Sequence, residues 1–248
     1  MTHSWLLATA YAVTCAMWWG LSRLLPLWPD AQRPQFAQPW REVGIVLLAV
    51  VGTLLLGQLW VRGIRLNMTG PWAPVGESIN QIIIFAPVIA VPILRRQGWA
   101  SAWIRLDRIA MRLVIGLLLA LVALLLYSTL ERGAASWPDA VREMFAPSRS
   151  HVAVQVLLED VAIAILFVRV AAAMGPRGAI LIVAALFAVA HIPSMIARGD
   201  TTTELVALLR DAGLAMLVVG TAWRSADIAW LWPVHYALDM TQFLGRAT

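Results

Sequence analysis

Charged side chains, cysteine and lysine are all scarce in this 248-residue sequence, and each scarcity excludes a class of protein. Only 13% of the residues are charged whereas 60% are hydrophobic, a balance that excludes an ordinary soluble domain. Cys15 is the single cysteine, so neither an intramolecular disulfide nor a cysteine-based zinc site is possible. Lysine is absent, and the arginines that supply all 19 basic residues are spread along the chain. Because they form no single basic patch, we expect no nucleic-acid partner.

Long apolar runs are abundant instead. A helix needs about 20 apolar residues to cross roughly 30 Å of hydrocarbon. The sequence offers eight such segments, near residues 4–28, 42–64, 73–94, 109–130, 151–173, 178–197, 203–222 and 226–244. We therefore predict an all-α fold, a polytopic membrane helical bundle of about eight transmembrane helices.

The two halves of the chain differ in their polar content. Residues 1–130 supply transmembrane helices without an evident role, whereas residues 151–244 carry most of the unusual ionisable side chains, within one integral membrane domain overall. Five arginines crowd the segment 95–112, and we expect Trp99 and Trp103 beside them to rest against lipid headgroups. The lysine-free composition is typical of a GC-rich bacterium, so we predict a multi-pass protein of the bacterial inner membrane, in contact with the lipid bilayer.

Five ionisable residues interrupt the apolar runs of the second half: Glu159, Asp160, His191, His235 and Asp239. Such groups are costly inside hydrocarbon and mark functional sites by default. Counting 1.5 Å per helical residue places Glu159, His191 and Asp239 at roughly 10–12 Å below one membrane surface, and His235 at roughly 18 Å. Residues from three helices therefore share one layer of the membrane.

The spacing of these residues favours a divalent metal, most plausibly zinc. His235 and Asp239 are four residues apart and project from one helical face, and His191 would be the third ligand. Two imidazoles and one carboxylate with an open position are typical of a catalytic zinc, and Glu159 would accept a proton from the activated water. Simpler interpretations remain open: an intrahelical hydrogen bond between His235 and Asp239, a packing role for His191, and either a supporting or a purely bundle-facing role for Asp160.

Three motifs give the chain a resemblance to a known family. Phe187–His191 reads FAVAH, His235–Asp239 reads HYALD, and Glu159–Asp160 is an acidic pair upstream of both. These resemble the Phe-x-x-x-His, His-x-x-x-Asn/Asp and Glu-Glu-x-x-x-Arg motifs of the CPBP intramembrane metalloproteases, also called the CAAX protease and bacteriocin-processing or Abi family. The resemblance implies a metal-dependent peptidase acting on a membrane-associated peptide or protein, with His191, His235 and Asp239 as metal ligands and Glu159 as the residue that activates water.

The first motif departs from the family pattern. Ala164 occupies the arginine position, and Arg169 lies five residues further along, on a different helical face. Glu159 aligns with either the first or the second glutamate of the motif. A diverged enzyme and an inactive relative that serves as a membrane scaffold both fit this departure, and a proton-relay transporter is a third class.

Overall fold

The computed structural model describes residues 3–28, 34–198 and 202–244, and this part of the chain folds as helices joined by turns and short 3-10 segments. The α-helices are α1 (His3–Leu24), α2 (Pro39–Val61), α3 (Ala73–Leu94), α4 (Ile109–Arg132), α5 (Trp137–Met144), α6 (Ser150–Met174), α7 (Pro176–Arg198), α8 (Thr202–Ser225) and α9 (Ile228–Asp239). Each of the eight predicted segments coincides with one long helix or, for the last, with α9 and the 3-10 turn Met240–Phe243 that follows it. The all-helical prediction is confirmed, and the short helix α5 was not foreseen.

Three helical segments of the described chain are long and apolar enough to cross a membrane: Pro39–Val61, Gly70–Leu94 and Ile109–Arg132. The surface of α2 fits a lipid environment, because Leu48 and Leu55 are 74% and 62% exposed. These helices indicate a membrane protein. Among the long helices outside this set, α6 contains the charged residues Glu159, Asp160 and Arg169.

Helix α9 lies in the interior of the bundle, packed against α4, α6 and α1. Its contact with α4 is close because Gly116 has no side chain: a Cβ at this position would lie 2.8 Å from both the Ala229 carbonyl oxygen and the Trp230 Cα. The Trp230 indole also stacks on Trp18 of α1, with ring centroids 4.9 Å apart. These contacts fix α9, and with it the residues of the candidate site.

Side-chain bonds gather the helix ends into two layers. At one end, Asp227 accepts a hydrogen bond from the Trp28 indole at 2.9 Å and pairs with Arg112 at 2.8 Å. At the other end, Tyr127 near the end of α4 contacts His3 at the start of α1, with 2.5 Å between the phenol oxygen and Nδ1. Helices α1 and α4 therefore run in opposite directions, and α9 begins at the same end of the bundle as α4.

One surface prediction is wrong. Trp103 and Arg112 were expected near lipid headgroups, but Trp103 is 1% exposed and Arg112 is fully buried. Arg112 is buried with its polar partners, because its guanidinium pairs with Asp227 and donates a 2.7 Å hydrogen bond to the Arg105 carbonyl, whereas the Trp103 ring packs against Phe167 of α6 with centroids 5.2 Å apart. Trp99 is 49% exposed, as an interfacial residue would be.

Candidate functional site

Two neighbouring helices bring Asp160 and His235 together. Asp160 lies on α6, is 3% exposed, and places its Oδ1 atom 2.9 Å from Nδ1 of His235 on α9. One turn further along α9, Asp239 Oδ1 lies 3.7 Å from Nε2 of the same histidine. The imidazole is thus held between two carboxylates, one at each ring nitrogen.

These three residues line a cavity of about 300 Å³ in the middle of the bundle. Its wall is otherwise mainly apolar, with contributions from α1, α7 and α8 that include Leu7, Val183, Phe187 and Val218. A concave apolar chamber with a few convergent polar groups is typical of a small-molecule or peptide site. Asp160 Oδ2 is buried and has no hydrogen-bond partner within the described residues, so one carboxylate oxygen remains available at this site.

His235 and Asp239 supply two of the three side-chain donors that a catalytic zinc site requires. Ligands of a tetrahedral zinc bound at about 2.0–2.2 Å are roughly 3.3 Å apart, so the 3.7 Å between His235 Nε2 and Asp239 Oδ1 needs only a small closure. The bond from His235 Nδ1 to Asp160 is the type of outer contact that orients metal-binding imidazoles. Within the described side chains, however, no group of three or more His, Cys, Asp or Glu residues is arranged to hold a metal.

The third predicted metal ligand, His191, cannot be placed relative to the other two. His191 belongs to α7, four residues after the cavity-lining Phe187, but its side chain lies outside the described residues. The approach of the His191 imidazole to His235 and Asp239 therefore stays a prediction, and so does the presence of a third protein ligand at the proposed metal site.

Glu159 occupies a different position from its neighbour. Its Oε1 atom accepts a 2.9 Å hydrogen bond from the Gln155 amide one turn earlier in α6. The carboxylate interacts electrostatically with His235 and Asp239, although Glu159 is not among the residues that line the cavity. Asp160, for which the sequence left two roles open, is the member of the acidic pair that contacts the histidine.

Arg169 serves a separate part of the bundle. It is fully buried and donates hydrogen bonds to the Ile165 carbonyl at 2.7 Å and to the Gln97 side chain. Its Nε atom also lies 3.8 Å from Glu42 Oε2 of α2. Arg169 therefore ties α6 to α2 and to the turn after α3 and is not among the residues that line the cavity, while Ala164 is a buried apolar residue.

Helix α1 contributes residues to the site that the sequence did not identify. His3, Leu7 and Tyr11 all line the cavity. Their i, i+4, i+8 spacing puts them on one helical face, and a histidine and a tyrosine on one face of an apolar helix were a usable signal. The segment 1–130 is thus part of the site's wall as well as a support.

In comparisons with known proteins, no family model, curated protein or solved structure matches the chain.

Proposed function

We propose that this chain is an intramembrane metal-dependent endopeptidase that hydrolyses a peptide bond in a membrane-associated peptide or protein. The observation that carries the proposal is the contact between Asp160 and His235, at 2.9 Å, in the wall of a cavity between the helices. Zinc sites commonly contain a histidine that a carboxylate orients from the other ring nitrogen, as Asp160 does for His235, and Asp239 one turn away can supply a second ligand. The motif resemblance supports the same function.

We further propose that all eight long helices cross the bilayer of a bacterial inner membrane. The end contacts of α1 support this, because a helix that lay along the surface could not contact groups at both ends of α4. The shortest of the eight, α9, is extended by a 3-10 turn from Met240 to Phe243. Together they cover roughly 26 Å at 1.5 and 2.0 Å per residue, close to the hydrocarbon thickness.

Each site residue has a defined task in this proposal. Asp160 accepts a hydrogen bond from the Nδ1–H of His235, which leaves the lone pair of Nε2 free to face a metal together with Asp239 and His191. A zinc bound there would lower the pKa of water and polarise the substrate carbonyl. Because Asp160 is engaged by His235, Glu159 is the carboxylate assigned to accept the proton of water and to pass it to the departing amine.

Metal analysis of purified protein tests the proposal. We expect the wild type to retain about one zinc per chain, Glu159→Gln to retain it without cleaving substrate, and His235→Ala to lose it. His151→Ala is the matched control, because His151 also lies on a long helix but does not line the cavity. A wild type that binds no metal after zinc loading would overturn the peptidase proposal.

A non-catalytic membrane scaffold is the second candidate. It is favoured by the hydrogen bond of Glu159 to Gln155 and by the absence of Glu159 from the cavity wall within the described chain. Cleavage of membrane-reconstituted peptides separates the two functions. Zinc binding by the wild type without cleavage of any member of a transmembrane peptide library would favour the scaffold.

A further inference from the structure

Helix α1 places a phenol beside the candidate site. Tyr11 is 7% exposed, lines the same cavity as Asp160 and Asp239, and meets the His235 imidazole edge to face, with ring centroids 6.4 Å apart. Both of those carboxylates lie near the Tyr11 phenol. Tyr11 therefore belongs to the polar part of an otherwise apolar chamber.

Tyr11 differs from the two other tyrosines of the chain in its hydrogen bonding. The Tyr127 hydroxyl donates to Glu131 at 3.1 Å, and the Tyr236 hydroxyl donates to the Met144 carbonyl at 2.6 Å. No hydrogen bond joins the Tyr11 hydroxyl to another group of the described chain, and this hydroxyl is not among the fully buried polar atoms that lack a partner, so it is not sealed off from the cavity. A tyrosine hydroxyl in a mainly apolar chamber usually has a hydrogen-bond partner, so a bound substrate is the natural acceptor for this one.

We infer that Tyr11 donates a hydrogen bond to the carbonyl oxygen of the scissile peptide bond; this inference rests on the proposed peptidase function. When water adds to the carbonyl carbon, the π electron pair moves to oxygen, and the Tyr11 O–H stabilises the resulting negative charge while keeping its proton. The pair then returns as the C–N bond breaks, and the amine leaves with the proton that Glu159 took from water. A neutral donor aimed at a developing oxyanion in a dry site stabilises the transition state more than the ground state.

The other cavity-lining side chain of α1 with hydrogen-bonding groups is less suited to this task. His3 lies at the beginning of the helix, is exposed, and already contacts the Tyr127 hydroxyl through Nδ1. Tyr11 lies two turns deeper and directly contacts His235. The phenol is therefore the donor of α1 that is next to the predicted reacting groups.

Substitution of Tyr11 by phenylalanine removes only the hydroxyl and tests the inference. We expect kcat to fall about 10²–10³-fold, the loss typical of one oxyanion donor, with little change in KM and an unchanged zinc content. Affinity for a phosphonate peptide, which mimics the tetrahedral oxyanion, should fall by a similar factor. Affinity for the cleaved product peptide should stay the same.

Two further variants keep this test decisive. Tyr236→Phe is the control, because its hydroxyl bonds to Met144 outside the cavity, and we expect wild-type kcat and phosphonate binding. Incorporation of 3-fluorotyrosine at position 11 retains the hydroxyl donor, so we expect kcat and phosphonate affinity to return towards the wild-type values. An unchanged kcat in Tyr11→Phe, with His235→Ala inactive, would refute the role of Tyr11 alone, whereas an inactive wild type would refute the peptidase and this inference together.

Discussion

His235 is the residue around which the candidate site is organised. Its pairing with Asp239 is local, since four residues on one helix bring the two side chains to the same face, and Nε2 and Oδ1 lie 3.7 Å apart. Its pairing with Asp160 joins positions 75 residues apart. The second contact fixes the orientation of the imidazole ring and decides which ring nitrogen faces the cavity.

Replacement of Asp160 by asparagine is predicted to weaken metal binding. The amide carries no charge and can present an N–H instead of an acceptor to Nδ1 of His235, which favours the wrong tautomer. We expect zinc affinity, measured by competition with a chelator, to fall about 10–100-fold.

Asp139→Asn provides the matched comparison for this measurement. Asp139 lies on α5, its side chain is 71% exposed, and within the described part of the chain it pairs only with Arg142, at 3.3 Å. We expect wild-type zinc affinity for this variant. Equal affinities for the Asp160 and Asp139 variants would mean that Asp160 does not orient His235.

At the scale of the helices, the α4–α9 contact determines where the site residues stand. Gly116 permits the two backbones to touch, and Arg112 and Asp227 join the start of α4 to the start of α9. Asp227 also caps α9 by accepting a 3.0 Å hydrogen bond from the Ala229 amide. One end of α9 is therefore held by a charge pair and the adjoining turn by backbone packing.

Gly116→Ala is predicted to separate α4 from α9. The added Cβ would be 2.8 Å from rigid backbone atoms, which cannot rotate away. We expect the free energy of unfolding in detergent to fall by roughly 3 kcal/mol, the upper end of the range for overpacking. Gly44→Ala in α2 meets nothing within 4 Å, and it should change stability by less than about 1 kcal/mol. Equal stabilities of the two variants would contradict the close approach of the helices.

Arg112→Met tests the buried ion pair. Both Arg112 and Asp227 side chains are at most 1% exposed, so removal of the arginine leaves a buried carboxylate without its cation. We expect a loss of about 3–5 kcal/mol in the free energy of unfolding. Arg142→Met, which breaks a pair whose arginine side chain is 78% exposed, should cost less than about 1 kcal/mol. A loss for Arg112→Met no larger than for Arg142→Met would show that the pair does not hold α9.

For the molecule as a whole, the arrangement of helix ends predicts a membrane topology. Loops that follow odd and even crossings lie on opposite faces, so the turn after α3 and the segment after α4 should face opposite sides of the bilayer. Cys15 is 6% exposed, so we expect it to give little background in thiol labelling. Labelling of a single cysteine introduced into each of these two loops can therefore show on which side of the bilayer that loop lies.

Leu106→Cys and Asp139→Cys are the corresponding variants. Leu106 is 71% exposed in the turn after α3, and the Asp139 side chain is equally exposed on α5. In sealed vesicles we expect a membrane-impermeant maleimide to label one of them from outside and the other only after permeabilisation. Labelling of both from the same side would contradict the alternating topology.

Much of this architecture was predictable from the sequence because hydrophobic length is a local property. A run of about 20 apolar residues specifies a helix in hydrocarbon whatever its neighbours are. Helix α5 was not predicted because its eight residues are mixed in polarity and only two of them, Ala140 and Met144, are buried. The exposure of Trp103 was wrongly predicted for a related reason: the turn that holds it folds inward onto α6 and α9.

The sequence by itself determined an all-helical membrane protein and the one-turn spacing of His235 and Asp239, because both follow from local periodicity along the chain. Only the tertiary structure decided that Asp160 reaches His235, that Arg169 binds elsewhere, and that Tyr11 of the first helix enters the cavity. The physical reason is that these contacts depend on how each helix is rotated and packed. That rotation is set jointly by distant side chains such as Trp18, Gly116 and Trp230, whose partners no local pattern identifies.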